Sequence, residues 1–301
     1  MISLYNLGCL KYVEDGKTFP DGTPLLESFS TKINIDKPTK VLFKYEGDSE
    51  LFRLMCIVRD LQEKGATDIS LILTYIPNAR MDRVHDDADV FTLKYFAEFI
   101  NSLNFTKVYV LDAHSDVSLA LINRCVNIQP IDYIKYVMEL LDFNEEEDFI
   151  CYPDAGCKKR LEDKIKFPSV FGNKHRDWKS GKILGTDIYG DDLSKLNGAR
   201  VLFVDDICAY SGTAKFTLEK LKQYGVDKCY CFFTHVEDSI FGSDNWQKTG
   251  EGVPTLLYSD LADGIYLTDS LLSSCYVNDC DLLTRNKMKV LSVERFIDSI
   301  K

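Results

Sequence analysis

Two neighbouring carboxylates, Asp205 and Asp206, end an apolar run in the stretch ARVLFVDDICAYSGTAKFTLEKLKQYG, residues 199 to 225. Behind them come Ala209-Tyr210-Ser211-Gly212-Thr213, and then a segment with helical apolar spacing that Gly225 closes. Acids at a strand end can accept hydrogen bonds from sugar hydroxyls. A short turn of small residues before a helix aims backbone N–H groups and the positive end of the helix dipole at an anion. The chemistry is that of a pocket for a ribose and a phosphate. The run Val201 to Val204 has the composition of a strand covered on both faces, and ligands of open α/β sheets sit at the carboxyl ends of such strands. A capped helix after a strand uses the same residue types, so the rest of the chain has to decide.

Four more polar clusters follow strand-like runs. Asn78-Ala79-Arg80-Met81-Asp82-Arg83 offers two guanidinium forks for polyphosphate oxygens, or a loop salt-bridged to itself. Asp112-Ala113-His114 could hold Mg²⁺ or its water shell, although a lone His is commonly structural. Pro153-Asp154-Ala155-Gly156 is again an acid followed by small residues, with a helix-capping Asp as the competing reading. Lys174-His175-Arg176, with Lys179 and Lys182 nearby, is a dense cationic segment that reads either as an ordinary basic hairpin or as an arm closing over transferring phosphates.

The elements that must carry these groups alternate along the chain, which points to βαβ units and mostly parallel sheets. Residues 51 to 64, 90 to 103 and 131 to 143 carry helical apolar stripes, and residues 67 to 75, 107 to 114 and 227 to 235 read as strands. SVFGNKHRDWKSGKILG reads as two strands joined by a basic turn, and the acidic run NEEEDF at 144 to 149 as a solvated turn and domain boundary. The length of 301 residues allows two domains. No apolar run approaches a membrane span, and the N-terminus lacks the pattern of a secretory signal, so we expect a cytoplasmic protein without membrane contact. The ten cysteines form no CxxC pair and read as small hydrophobes in a reducing compartment. A formal net charge of −11 argues against nucleic-acid binding, and it means that an anionic substrate needs Mg²⁺ or placed Lys and Arg.

The order and wording of these clusters resemble the phosphoribosyl pyrophosphate synthetases over nearly the whole chain. Phe19-Pro20-Asp21-Gly22 is similar to that family's adenine-contacting FxDGE loop, with Thr23 in place of the Glu. Tyr75 to Arg83 resembles YxxYARxDR, with departures at Asn78 and Met81, and Asp112-Ala113-His114-Ser115 resembles DLHS. Pro153-Asp154-Ala155-Gly156 resembles SPDxGG, Lys174-His175-Arg176 resembles the Lys-Arg-Arg arm, and Thr234-His235 and Tyr266 to Asp269 resemble the THG and VTDT positions. The family's ribose-phosphate motif reads VDDxxDTGGT. Here Ala209 replaces the loop Asp, Tyr210 the first Thr, and Ser211 one Gly.

The resemblance implies an α/β fold of two phosphoribosyltransferase-like (type I) domains, each a mostly parallel sheet flanked by helices, over 1–145 and 146–301. It implies a pyrophosphokinase that moves the β,γ-diphosphoryl group of ATP to the anomeric hydroxyl of a ribose 5-phosphate moiety. Phe19, Asp21, Gly22, Arg80, Asp82 and His114 would then bind ATP, and Asp112, His114 and Asp154 would place Mg²⁺. Lys174 and Arg176 would be catalytic, and Asp205, Asp206 and Ala209 to Thr213 would bind the ribose and its phosphate. A homo-oligomer, dimer or hexamer, is implied as well. The altered loop tilts the expected acceptor from free ribose 5-phosphate towards one extended beyond its 5-phosphate, such as ADP-ribose, which some members of the superfamily use in rebuilding NAD. A phosphoribosyltransferase and a non-catalytic, synthetase-like regulatory subunit are the competing readings.

Overall fold

The computed structural model describes residues 1–84, 86–176, 183–241, 256–294, 297 and 300; of these, the side chains of residues 174–176, 183, 184, 258, 284 and 285 are not described. Contacts group the chain into two compact units, Met1–Gln129 with Val293–Lys301, and Pro130–Ser292. The acidic run at 144 to 149 therefore lies inside the second unit, together with the helix Ile131–Leu140. Among the described residues no helix is long and apolar enough to cross a membrane.

The first unit is built on a six-stranded sheet of order β2-β1-β3-β4-β5-β6. Its strands are β1 (Ile2–Asn6), β2 (Cys9–Glu14), β3 (Thr39–Phe43), β4 (Ile69–Leu73), β5 (Val108–Leu111) and β6 (Cys125–Ile128). The hairpin β1–β2 and the β1–β3 pair are antiparallel, while β3 to β6 run parallel. Helix α1 (Ser49–Glu63) buries Leu54, Ile57, Val58 and Leu61, the i, i+3, i+4, i+7 stripe that its sequence spells out. Helices α2 (Thr92–Ser102) and α3 (Asp116–Leu121) complete the crossovers.

The second unit holds a seven-stranded sheet of order β13-β12-β11-β10-β7-β8-β9. Helix α4 (Ile131–Leu140) precedes β7 (Phe149–Tyr152), which leads through α5 (Ala155–Ile165) to β8 (Ser169–Arg176) and its antiparallel partner β9 (Ile183–Tyr189). Strand β10 (Arg200–Cys208) leads through α6 (Gly212–Gln223) to β11 (Lys228–Val236), followed by β12 (Gly264–Thr268) and β13 (Met288–Leu291). Val201 to Val204 are fully buried, as their composition requires. Gly225 closes α6 at φ +83, where an added Cβ would fall 2.3 Å from Asn197 Oδ1, so only glycine fits. Arg200 anchors the start of β10, donating to Asp148 Oδ1 at 2.9 Å and to the carbonyls of Leu141 and Asp142.

All ten cysteines are free. Cys151, Cys208, Cys229 and Cys231 line the second unit's core and Cys157 is buried on α5; burial pushes the Cys229 thiol up to about 12. Cys9, Cys275 and Cys280 are exposed, so the reading of cysteines as buried hydrophobes does not extend to these three.

Candidate active site

In the second sheet β7 and β10 are neighbours, but their crossovers leave in opposite directions: α5 leads outward to β8, and α6 outward to β11. This is a topological switch point. The two following loops separate and leave a crevice above the carboxyl ends of β7 and β10, where open α/β sheets bind ligands. Asp154 follows β7, and Asp205 to Thr213 lie at the end of β10 and in its loop, so the fold itself brings these groups to one crevice.

Strand β10 does not stop at the acids. It pairs with β11 as far as Cys208, whereas its pairing with β7 ends at Phe203. Asp205 and Asp206 therefore lie inside a strand whose β7-side edge is open. The pleat sends their side chains to opposite faces, so they bracket the open edge instead of standing side by side. Val201 and Phe203 face the core that contains Leu218 and Leu221 of α6, which puts Asp205 on the α6 face. Its Oδ1 accepts from the Asp206 N–H at 3.0 Å.

Helix α6 starts without a side-chain cap. Its first helical bond runs from Lys215 N to Ser211 O at 2.9 Å, so the N–H groups of the first turn lack intrahelical acceptors, and the helix dipole adds positive potential there. A Cβ on Gly212 would meet no described residue within 4 Å, so among the described residues the approach to this helix end is open. Tyr210 stands at the mouth, 55% exposed, and Ala209 is half-buried beside it. Ser211 differs from its neighbours: its residue is only 5% exposed and its hydroxyl turns inward.

Asp154 is the N-cap of α5, its Oδ1 accepting from Cys157 N at 2.9 Å. The capping role is real, but the residue is exposed and Oδ2 takes no hydrogen bond from any described residue. Among the described residues no group of three or more His, Cys, Asp or Glu could hold a metal by itself. Asp154, Asp205 and Asp206 supply hard oxygen donors of the kind that hold Mg²⁺ together with substrate phosphates. Lys174 and Arg176 lie on β8, opposite Thr186 and Ile183 of β9, while their side chains and the basic turn 177–182 fall outside the described residues.

In the first unit the loops after β4 and β5 meet. Asp82 is 7% exposed; Arg83 donates to its Oδ1 at 3.0 Å, and Ser115 also hydrogen-bonds it. Burial works against its charge, but those bonds and the nearby Arg83 and His114 hold the carboxyl below the usual range. Asp82 thus ties the Arg80 loop to the His114 loop. Arg80 and His114 are both exposed, and Asp112 is buried at φ +44. Asn127 of β6 orders this turn by accepting from Ala113 N at 3.0 Å, a role marked in the sequence only by an amide inside a short apolar strand.

Phe19 to Gly22 form the tip of an arm closed by the bridge Thr18–Pro24. Thr23 binds Asp21 Oδ1 through both N–H (3.0 Å) and hydroxyl (2.7 Å), so the residue replacing the family's Glu locks Asp21 into the turn and holds its carboxyl below the usual range. The arm's base is clamped by a residue that sequence reasoning missed. Arg53 of α1, 4% exposed, donates to Glu14 Oε1 at 2.7 Å, Gly16 O at 3.0 Å and Lys17 O at 2.8 Å. The available signal is an Arg flanking the apolar stripe of α1.

Fold and site together define an α/β protein of two phosphoribosyltransferase-like (type I) units. A phosphoribosylpyrophosphate synthetase from Mycobacterium smegmatis superimposes with a TM-score of 0.63 over 86% of this chain and 78% of that one, at 18% identity. The ribose-phosphate pyrophosphokinase of Thermococcus kodakarensis is 26% identical over 257 residues, 84% of this chain and 87% of its own length. That of Pyrococcus furiosus is 25% identical over 243 residues, 80% of this chain and 82% of its own length. No protein-family model matches the chain. The chain is thus similar, at about a quarter of its residues and over most of its length, to ribose-phosphate pyrophosphokinases.

Proposed function

We propose that the protein is an ATP-dependent diphosphotransferase that moves the β,γ-diphosphoryl group of ATP to the anomeric hydroxyl of a ribose 5-phosphate moiety, releasing AMP. The observation that carries this reading is the switch-point crevice, where Asp205 and Asp206 bracket an open strand edge beside the uncapped N-terminus of α6. Relatives named for this chemistry over most of the chain support it.

In this reading Asp205 and Asp206 orient the ribose hydroxyls, and the first-turn N–H groups of α6 hold the 5-phosphate. Arg80 and His114, joined through Asp82, hold the nucleotide together with Phe19, Asp21 and Gly22. Lys174 and Arg176 meet charge developing on the transferring group, and catalysis is mainly positioning and charge neutralisation. Mg²⁺, when bound, would neutralise phosphate oxygens; each unit by itself offers donors for such an ion, Asp154, Asp205 and Asp206 in the second and Asp112 and His114 in the first. The protein acts as a homo-oligomer in this reading.

The relatives are named for action on ribose phosphate. The loop favours an acceptor extended beyond that phosphate, such as ADP-ribose, because Ala209 removes a carboxylate and Tyr210 presents an exposed ring on which a base can stack. Incubation with ATP, Mg²⁺ and each acceptor in turn, following AMP release, tests both parts. Faster release with ADP-ribose supports the extended acceptor, faster release with ribose 5-phosphate refutes it, and silence with both refutes the enzyme.

A further inference from the structure

Ser211 occupies a costly conformation. At φ +55 and ψ +19 it is left-handed, a region that disfavours side chains with a Cβ and that glycine enters freely. Its hydroxyl makes two bonds that glycine cannot make. Oγ donates to Tyr210 O at 2.7 Å and accepts from Leu256 N at 2.7 Å. Leu256 is 1% exposed and opens the 3₁₀ turn Leu256–Tyr258, whose other end is held by Ser259 donating to Leu256 O through N–H (3.1 Å) and hydroxyl (2.8 Å). Without the Ser211 hydroxyl, the Leu256 N–H is a buried donor with no acceptor.

The same bond acts on the loop. A trans peptide sets N–H antiparallel to C=O, so a Tyr210 carbonyl pinned to a buried hydroxyl turns the Ser211 N–H the other way, towards the open end of α6. We propose that Ser211 is a positioning residue: its buried hydroxyl latches the 209–213 loop to the Leu256–Tyr258 turn and thereby sets the backbone donors that receive the acceptor's phosphate. The hydroxyl itself touches no phosphate. This deepens the proposed function and rests on its placement of a phosphate at this helix end.

The test uses the full chain and two variants, Ser211→Gly and Ser211→Ala. Calorimetric Kd for ribose 5-phosphate, KM for ATP and amide exchange at Leu256 are measured on each. The latch predicts that both variants weaken ribose 5-phosphate binding by about tenfold or more, the factor for one lost hydrogen bond to a charged group, with KM for ATP unchanged and faster exchange at Leu256. Faster exchange with unchanged Kd would reduce the latch to a structural bond and overturn the proposal. Binding that Ser211→Gly retains and only Ser211→Ala loses would overturn it too, by assigning the effect to backbone strain. If the wild type binds ribose 5-phosphate but transfers nothing to it or to ADP-ribose, the diphosphotransferase reading fails while the latch stands; if it binds none of ribose 5-phosphate, ADP-ribose and inorganic phosphate, both fail.

Discussion

Gly212→Ala separates the binding role of the α6 N-terminus from its structural role, because the two predict opposite signs. Gly212 begins the helix, carries no left-handed φ, and leaves open space where a Cβ would stand. The folded protein therefore accepts alanine without strain. Replacing a helical glycine by alanine at a compatible site stabilises by up to about 1 kcal/mol. A thermal or urea melt should show an unchanged or raised midpoint. Cα–Cβ bonds in a helix tilt towards its N-terminus, so the new methyl projects to the side from which the phosphate approaches. Pushing the anion off one backbone donor costs about 1.5–3 kcal/mol, a fall of roughly 10- to 150-fold in kcat/KM for the phosphorylated acceptor. KM for ATP should not move. The assay is AMP release at varied acceptor concentration beside the melt. A variant at least as stable as the wild type with undiminished kcat/KM would show that no phosphate docks at this helix end.

Other substitutions test the rest of the arrangement. Asp205→Asn and Asp206→Asn should each lower kcat/KM for the acceptor by tenfold or more, as expected when a hydrogen bond to a charged group is lost, while leaving KM for ATP unchanged in initial-rate assays. Arg53→Met leaves Glu14 buried and unpaired and should destabilise by about 3–5 kcal/mol in urea unfolding, whereas Glu14→Leu with Arg53→Met should recover most of the loss. Because the Asp82 carboxyl is held below its ordinary 3.8, the folded state favours its charged form; that contribution is complete above 3.8 and disappears as pH falls through the lower folded value. The stability gap between wild type and Asp82→Asn should therefore close on acidification, read from unfolding midpoints at stepped pH; a gap that widens would contradict the sign.

The sequence makes the buried parallel strands and amphipathic helices legible, because their burial leaves a pattern. Strand β4, helices α1, α2 and α4, and the β10–α6 unit follow from apolar periodicity and from closing glycines such as Gly65 and Gly225. Strand β2 leaves no such pattern, since Cys9 to Lys11 and Val13 are exposed at a sheet edge, and neither does the short β6. The extension of β10 past Asp205 and Asp206 is set by its pairing with β11, a contact between distant segments that local composition does not encode. Polar side chains hide their partners. Ser211 enters the sequence reading through its backbone N–H, and nothing in its type or neighbours shows that its hydroxyl faces Leu256. Arg53 reads as a surface charge on a helix, yet it is buried and clamps the arm bearing Phe19 and Asp21. What the chain order conveys is which strand ends are followed by polar clusters; the crossover directions bring Asp154 and Asp205 to Thr213 to the same end of the second sheet.

The central claim, transfer of an intact diphosphoryl group to an anomeric hydroxyl, is tested most directly by phosphorus NMR of the full-length protein with ATP, Mg²⁺ and ribose 5-phosphate or ADP-ribose. The account predicts that AMP and a new anomeric diphosphate appear in equal amounts and only when acceptor is present. ADP with a sugar monophosphate ester, or ADP with inorganic phosphate independent of acceptor, would contradict it.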